Sequence, residues 1–196
     1  DNTKALLNGL NASNILLYGS AGTGKSATVK AVANSFAGEG LRLIELSKNE
    51  LHLLPELLEA CPRLLLKLSP MADITLVCKQ LGCVKQVHVV AAGGECKELL
   101  VLLDRDCSGR EPVLYCVEDG NILSFPSGDL SCAVAVFPHS PGRILFEPGA
   151  SLRKAGAMDI LCREYGLVKL ARFTHLFFAD DVSRDRVDEL AGFGKF

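Results

Sequence analysis

A short apolar run, Asn14-Ile15-Leu16-Leu17-Tyr18, stops at Gly19 and opens into Gly19-Ser20-Ala21-Gly22-Thr23-Gly24-Lys25-Ser26. Residues 26–36 follow with Val29, Val32, Ala33 and Phe36 at helical spacing, and Gly38 and Gly40 mark the stop. This succession of buried strand, glycine loop and helix constrains the fold more than any other stretch. The loop fits G-x-x-x-x-G-K-[ST] in full, a match expected by chance about once in a hundred chains of this length. Its chemistry is that of an anion cradle. Consecutive backbone N–H groups at a helix N-terminus offer donors and the positive end of the dipole to a polyphosphate. Gly19, Gly22 and Gly24 permit a close backbone approach that a Cβ would block. Lys25 supplies charge for the β and γ phosphates, and the Ser26 hydroxyl is placed to ligate Mg²⁺. The expected cofactor-binding set is Gly19, Ser20, Ala21, Gly22, Thr23, Gly24, Lys25, Ser26 and Ala27, holding ATP ahead of GTP. The alternative is a glycine-rich turn with an exposed lysine.

Strand and helix signals continue to alternate. Residues 41–46 read as a second strand, 49–60 as a helix restarted at Pro55, 63–68 as a third strand and 72–81 as a helix. That order predicts a parallel sheet with covered faces. Strands over 84–91 and 97–104 are separated only by Ala92-Gly93-Gly94-Glu95 and Cys96, too few residues for a crossover, which predicts an antiparallel hairpin. Between 111 and 146 short strands are broken by Asp119-Gly120, Pro126, Gly128 and Pro141-Gly142. A helix over 151–165, a strand over 175–179 and the start of a last strand in Gly192-Phe193-Gly194-Lys195-Phe196 complete the pattern.

Composition narrows the function classes. With 196 residues, 48% of them hydrophobic, and a formal net charge of -2, the chain reads as an ordinary globular protein, and binding to nucleic acid through bulk charge is disfavoured. No run approaches the roughly 18 apolar residues of a membrane span, and no signal-peptide layout begins the chain, so a cytoplasmic protein without membrane association is expected. The 8 cysteines show neither C-x-x-C nor tight Cys/His spacing, which predicts buried thiols rather than a zinc or dithiol site. All of them fall at or after Cys61, which random scatter gives on the order of one time in twenty. The first 60 residues therefore read as having a different origin from the rest.

Two resemblances agree with that division. Residues 2–60, through Asn14-Ile15-Leu16-Leu17-Tyr18-Gly19, the loop, Gly40-Leu41-Arg42-Leu43-Ile44-Glu45 and Leu54-Pro55-Glu56-Leu57-Leu58, resemble the first part of a bacterial AAA-type ATPase group of unestablished role. From Lys67 onward, Lys67-Leu68-Ser69-Pro70-Met71, Val87-His88-Val89-Val90, Glu95-Cys96-Lys97-Glu98-Leu99-Leu100, Glu147-Pro148, Lys154-Ala155-Gly156-Ala157 and Thr174-His175-Leu176 resemble the C-terminal part of a bacterial methyltransferase family. That family carries a class I S-adenosylmethionine domain and a THUMP-like end domain. The resemblances imply a chimera of three segments: 1–62 nucleotide-binding, 63–106 methyltransferase-like α/β, and 107–196 THUMP-like. The fold class expected is α/β, a three-layer, mostly parallel sheet of P-loop βαβ units continued by methyltransferase-like strands with a terminal antiparallel hairpin, plus a small β-rich α+β C-terminal subdomain.

The ATPase resemblance implies paired acids ending the next strand, to hold the metal's water shell. Here Arg63-Leu64-Leu65-Leu66-Lys67-Leu68 runs into Ser69-Pro70 with no acid in place. Asp104, Asp180 and Asp181 have the right apolar-then-acid texture but come late in the chain, and strand ends or turns are the alternative reading. Hydrolysis is therefore expected to be weak or absent. The methyltransferase resemblance lacks its cofactor motifs in this chain, so methyl transfer is not expected. Cys96 as a nucleophile is weighed against a structural thiol, and His88 as a metal ligand against a sheet-face histidine. Arg153, Lys154, Arg163, Lys169 and Arg172 form the basic cluster that an RNA contact would use, against a solvated helix face. Three readings stand: a nucleotide site with Mg²⁺, an RNA- or partner-binding module in the C-terminal part, and a fusion or truncated chain without selected function.

Overall fold

The computed structural model describes residues 15–18, 43–46, 54–60, 62–107, 109–140, 142–180 and 182–196. Two units are present: residues 1–87 with 98–112, and residues 88–97 with 113–196. The hairpin of β4 (Val84–Ala92) and β5 (Glu95–Asp104) contributes to both.

In the first unit β1 (Ile15–Tyr18) lies between β2 (Leu43–Leu46) and β3 (Arg63–Leu68), parallel to both. β5 continues the sheet beyond β3 in antiparallel register, Leu64 opposite Leu103, Leu66 opposite Val101 and Leu68 opposite Leu99. These six side chains alternate with outward positions and are all buried, so one face of the two strands is a continuous apolar layer. Each such side chain contributes roughly 1.5–3 kcal/mol of transfer free energy. Helix α1 (Leu54–Ala60) buries Leu54, Leu57 and Leu58, the i, i+3, i+4 stripe that makes a short segment helical in context. Helix α2 (Ile74–Leu81) starts where the Asp73 carboxylate accepts from the Leu76 N–H at 2.9 Å, and it ends at Gly82, whose φ of 68° only glycine adopts without strain.

The second unit holds the tip of the β4–β5 hairpin, β6 (Val113–Glu118) and β7 (Asn121–Pro126), with β4 beside β6 and β7 at the sheet edge. Asp119 and Gly120 link β6 to β7 with φ of 46° and 93°, the doubly positive φ of a type I′ turn. A second, antiparallel sheet has the order β11-β8-β10-β9, with β8 Leu145–Pro148, β9 Val168–Lys169, β10 Phe177–Phe178 and β11 Gly194–Lys195. Phe146 and Phe177 pair in its centre and are fully buried. Helices α3 (Asp129–Cys132), α4 (Ala150–Ala155), α5 (Met158–Tyr165) and α6 (Arg184–Ala191) complete the unit.

Three expectations change. The molecule is mixed α/β, but among the described residues its parallel pairing lies in β1, β2 and β3. The hairpins close through Gly93-Gly94 and Asp119-Gly120, and two residues can only reverse a chain, whereas a parallel return needs a crossover of a dozen or more. The helix expected over 151–165 is two helices, because Gly156 sits at φ 73° and terminates the first by accepting the left-handed cap. The expected last strand is shorter but paired, Gly194 opposite Pro148 and Lys195 opposite Glu147.

Candidate functional site

Among the described strands of the first unit, the order around β1 is the kind that opens a crevice at the carboxyl end of a sheet. After β1 the chain adds β2 on one flank, then crosses to the other flank as β3, and continues outward to β5 and β4. The connections that leave the carboxyl ends of the parallel neighbours β1 and β3 therefore run to opposite flanks of the sheet, which is a topological switch point, the place where open α/β sheets bind ligands. Tyr18 ends β1, and the glycine loop begins at the next residue. The expected ligand set Gly19 to Ala27 lies outside the described residues, as does Asp181.

At the carboxyl end of β3, Lys67 stands opposite Leu17 of β1 and Leu100 of β5 in backbone register. Its ammonium pairs with the Glu98 carboxylate, both residues being more than nine-tenths buried. Sequence reading found no acid at the end of this strand. The antiparallel neighbour delivers one: Glu98 precedes Leu99, which faces Leu68. Beyond the strand, the Ser69 hydroxyl accepts from the Met71 N–H at 3.2 Å and the Ser69 carbonyl from the Ala72 N–H at 3.0 Å, turning the chain away.

The other acid candidates stand elsewhere. Asp104 faces Arg63 at the amino end of β3, the end opposite the glycine loop's origin. Its carboxylate accepts from Lys85 at 2.8 Å and from the Asp106 N–H at 3.1 Å, and lies 3.4 Å from Arg63. The Lys85 hydrogen bond holds its carboxyl below the usual carboxylate range. Asp180, in the second unit, accepts from the backbone N–H of Arg143 at 2.7 Å and fixes the approach to β8. Both carboxylates thus have structural partners in their own units.

The basic cluster is largely engaged. Arg153 lies 3.4 Å from Glu147, Arg163 bonds Asp129 at 2.8 Å and Glu164 at 2.7 Å, Lys169 lies 3.5 Å from Asp159, and Arg172 rests over the Phe173 ring. Lys154 also has partners within the chain. The His88 ring stacks on Tyr115 with centroids 4.5 Å apart and planes 6° apart, and burial pushes its pKa down. No group of three metal-ligating side chains occurs among the described residues. Cys96 is half-buried, and Cys116, buried beneath Ser151, has its thiol pushed up to about 12 by desolvation ahead of the Glu118 charge. Glu118, itself buried, receives the N–H groups of Ala150 at 3.3 Å and Ser151 at 2.8 Å, and so caps α4 from a neighbouring strand. Among the described residues no helix is long and apolar enough to cross a membrane.

Comparison with known proteins gives two partial family matches and one fold. A family of unknown function, DUF815, matches residues 1–68, and a ferredoxin-like domain family matches residues 145–185. The first, a family related to the N-terminal region of AAA-type ATPases, accords in part with the expected chimera. No curated protein matches the chain. The crystal structure of a candidate methyltransferase from Porphyromonas gingivalis W83 superposes with a TM-score of 0.65 at 20% identity, over 94% of this chain and 61% of that one. The chain thus spans less than two thirds of that protein's length. At that identity the likeness is one of fold.

Proposed function

We propose that the chain binds a nucleoside triphosphate, ATP ahead of GTP, through residues Gly19 to Ala27 at the carboxyl end of β1. The single observation that supports this reading is that β1, whose last residue Tyr18 directly precedes the G-x-x-x-x-G-K-S loop in sequence, lies between parallel β2 and β3 at a change of strand order. The donor set suits a polyphosphate: glycines that free the backbone N–H groups, the Lys25 ammonium, and a Ser26 hydroxyl able to ligate Mg²⁺. Bound Mg²⁺ would neutralise the β and γ phosphate charge. Lys25 would hold the same oxygens, and the loop amides would orient the triphosphate. Hydrolysis is slow or absent, because β3 ends in Lys67-Leu68 and runs into Ser69 with no paired acids, and the acid beside it, Glu98, is tied to Lys67. Titration calorimetry with ATP and Mg²⁺ on the full chain and on Lys25→Ala tests the reading: binding that weakens at least tenfold in the variant supports it, and equal affinity refutes it.

A second reading is favoured by the fold likeness to a candidate methyltransferase over 94% of the chain. Under it, the same crevice holds a methyl donor such as S-adenosylmethionine. Titration with that compound separates the two, since binding of S-adenosylmethionine without ATP would transfer the site to the second reading.

A further inference from the structure

In the second unit, among the described residues, the strand β7 ends its sheet. Glu118 and Asn121 close the two-residue turn as a hydrogen-bonded pair, and antiparallel pairs alternate, so the N–H and C=O groups of Ile122 and Ser124 point away from β6. Proteins ordinarily shield such an edge with charge, a bulge or proline. β7 reads Asn-Ile-Leu-Ser-Phe-Pro, with its only proline at the end and Ile122 64% exposed.

A cavity of about 340 Å³ opens beside this edge, large enough for one long side chain. Leu123, Phe125 and Ile160 give it an apolar lining. Its walls carry three carboxylates, Asp129, Glu164 and Glu189, against two guanidiniums, Arg163 and Arg186. Arg163 spends its Nη2 on Asp129 at 2.8 Å and its Nε on Glu164 at 2.7 Å, and Arg186 lies over the Tyr165 ring, 5.5 Å from its centroid. Tyr165 donates to one oxygen of Glu189 at 2.8 Å. Each of these bonds engages one oxygen of its carboxylate, so the wall keeps surplus acceptor capacity and one net negative charge.

From the unpaired edge and the acceptor-rich cavity beside it, we propose that β7 receives an extended segment of a partner protein, which adds a strand along Ile122–Ser124 and places an arginine side chain in the cavity. Main-chain hydrogen bonds to an edge strand supply affinity, and the pocket beside it supplies selectivity. A second copy of this chain pairing β7 to β7 answers the edge but not the wall, because β7 carries no charged side chain.

Fluorescence polarisation on the full chain tests this with a labelled alternating Thr/Val heptapeptide bearing a central arginine. The same peptide with central glutamate, and a version N-methylated at alternate amides, are each expected to bind at least tenfold more weakly. Asp129→Asn with Glu189→Gln is expected to weaken the arginine peptide about fivefold or more. Ser124→Pro, which removes an outward N–H, is expected to abolish binding while its circular dichroism melt stays that of a folded protein. Should Ser124→Pro fail to fold, the N-methylated peptide decides the edge. No measurable binding of the arginine peptide, equal binding of the arginine and glutamate peptides, undiminished binding of the N-methylated one, or a concentration-dependent dimer that Ser124→Pro dissolves would overturn the proposal.

Discussion

Lys67 and Glu98 form a buried ion pair on diagonal positions of two antiparallel strands, at the end of β3 next to the crevice that β1 opens. Attraction at short range and low dielectric offsets the desolvation of both charges, and neither residue tolerates loss of the other's charge. Glu98→Gln is expected to destabilise the protein by about 3–5 kcal/mol, and the double replacement Lys67→Met with Glu98→Leu by far less. Urea unfolding of the parent and the two variants measures both values.

Glu118 gives a second expectation. Its carboxylate receives two amides at the start of α4, and a Cβ on Gly149 would stand 2.6 Å from its carboxyl oxygen. Glu118→Gln is expected to cost about 1–3 kcal/mol. Gly149→Ala is destabilising in the parent but much less so beside Glu118→Ala, where the side chain that it strikes is gone, and a double-mutant cycle on unfolding free energies reads that coupling.

The Asp104 carboxyl is held low by Lys85, then by the Asp106 amide and Arg63. A folded pKa below the unfolded one gives stability that is present above about pH 4 and lost as pH falls through the folded value. Asp104→Asn should therefore lower stability near pH 7, by about 1–2 kcal/mol, and the difference from the parent should close as pH falls below about 4. Unfolding curves at stepped pH check this.

Cysteine reactivity follows from burial. Cys116 is buried with its thiol pushed up to about 12, whereas Cys132 is exposed. Iodoacetamide at pH 8 is expected to label Cys132 and leave Cys116 untouched in the native protein, with mass spectrometry of digests as the readout.

Local signals carried much of the fold. β3 has the expected bounds because its alternation is closed by Pro62 before it and Ser69-Pro70 after it. The β4–β5 reversal was legible because Gly93-Gly94 leaves no room for a crossover. Pairings across long separations were not. That β5 lies against β3 in antiparallel register, and so sets Glu98 beside Lys67, depends on contacts about thirty residues apart that no periodicity encodes. The same holds for Glu118 and Ser151, and for β11 against β8. Gly156 was visible but ambiguous, since an isolated glycine is compatible with a helix until its φ is known. Of the site, the glycine motif was fully legible and the switch point that supports it was not, because strand order is a tertiary property.

The nucleotide assignment has one direct measurement. Calorimetric titration of ATP with Mg²⁺ into the full chain is expected to give saturable binding with one site per chain, at least tenfold weaker in Lys25→Ala. A flat titration with the parent protein, or identical isotherms for the two proteins, would contradict it.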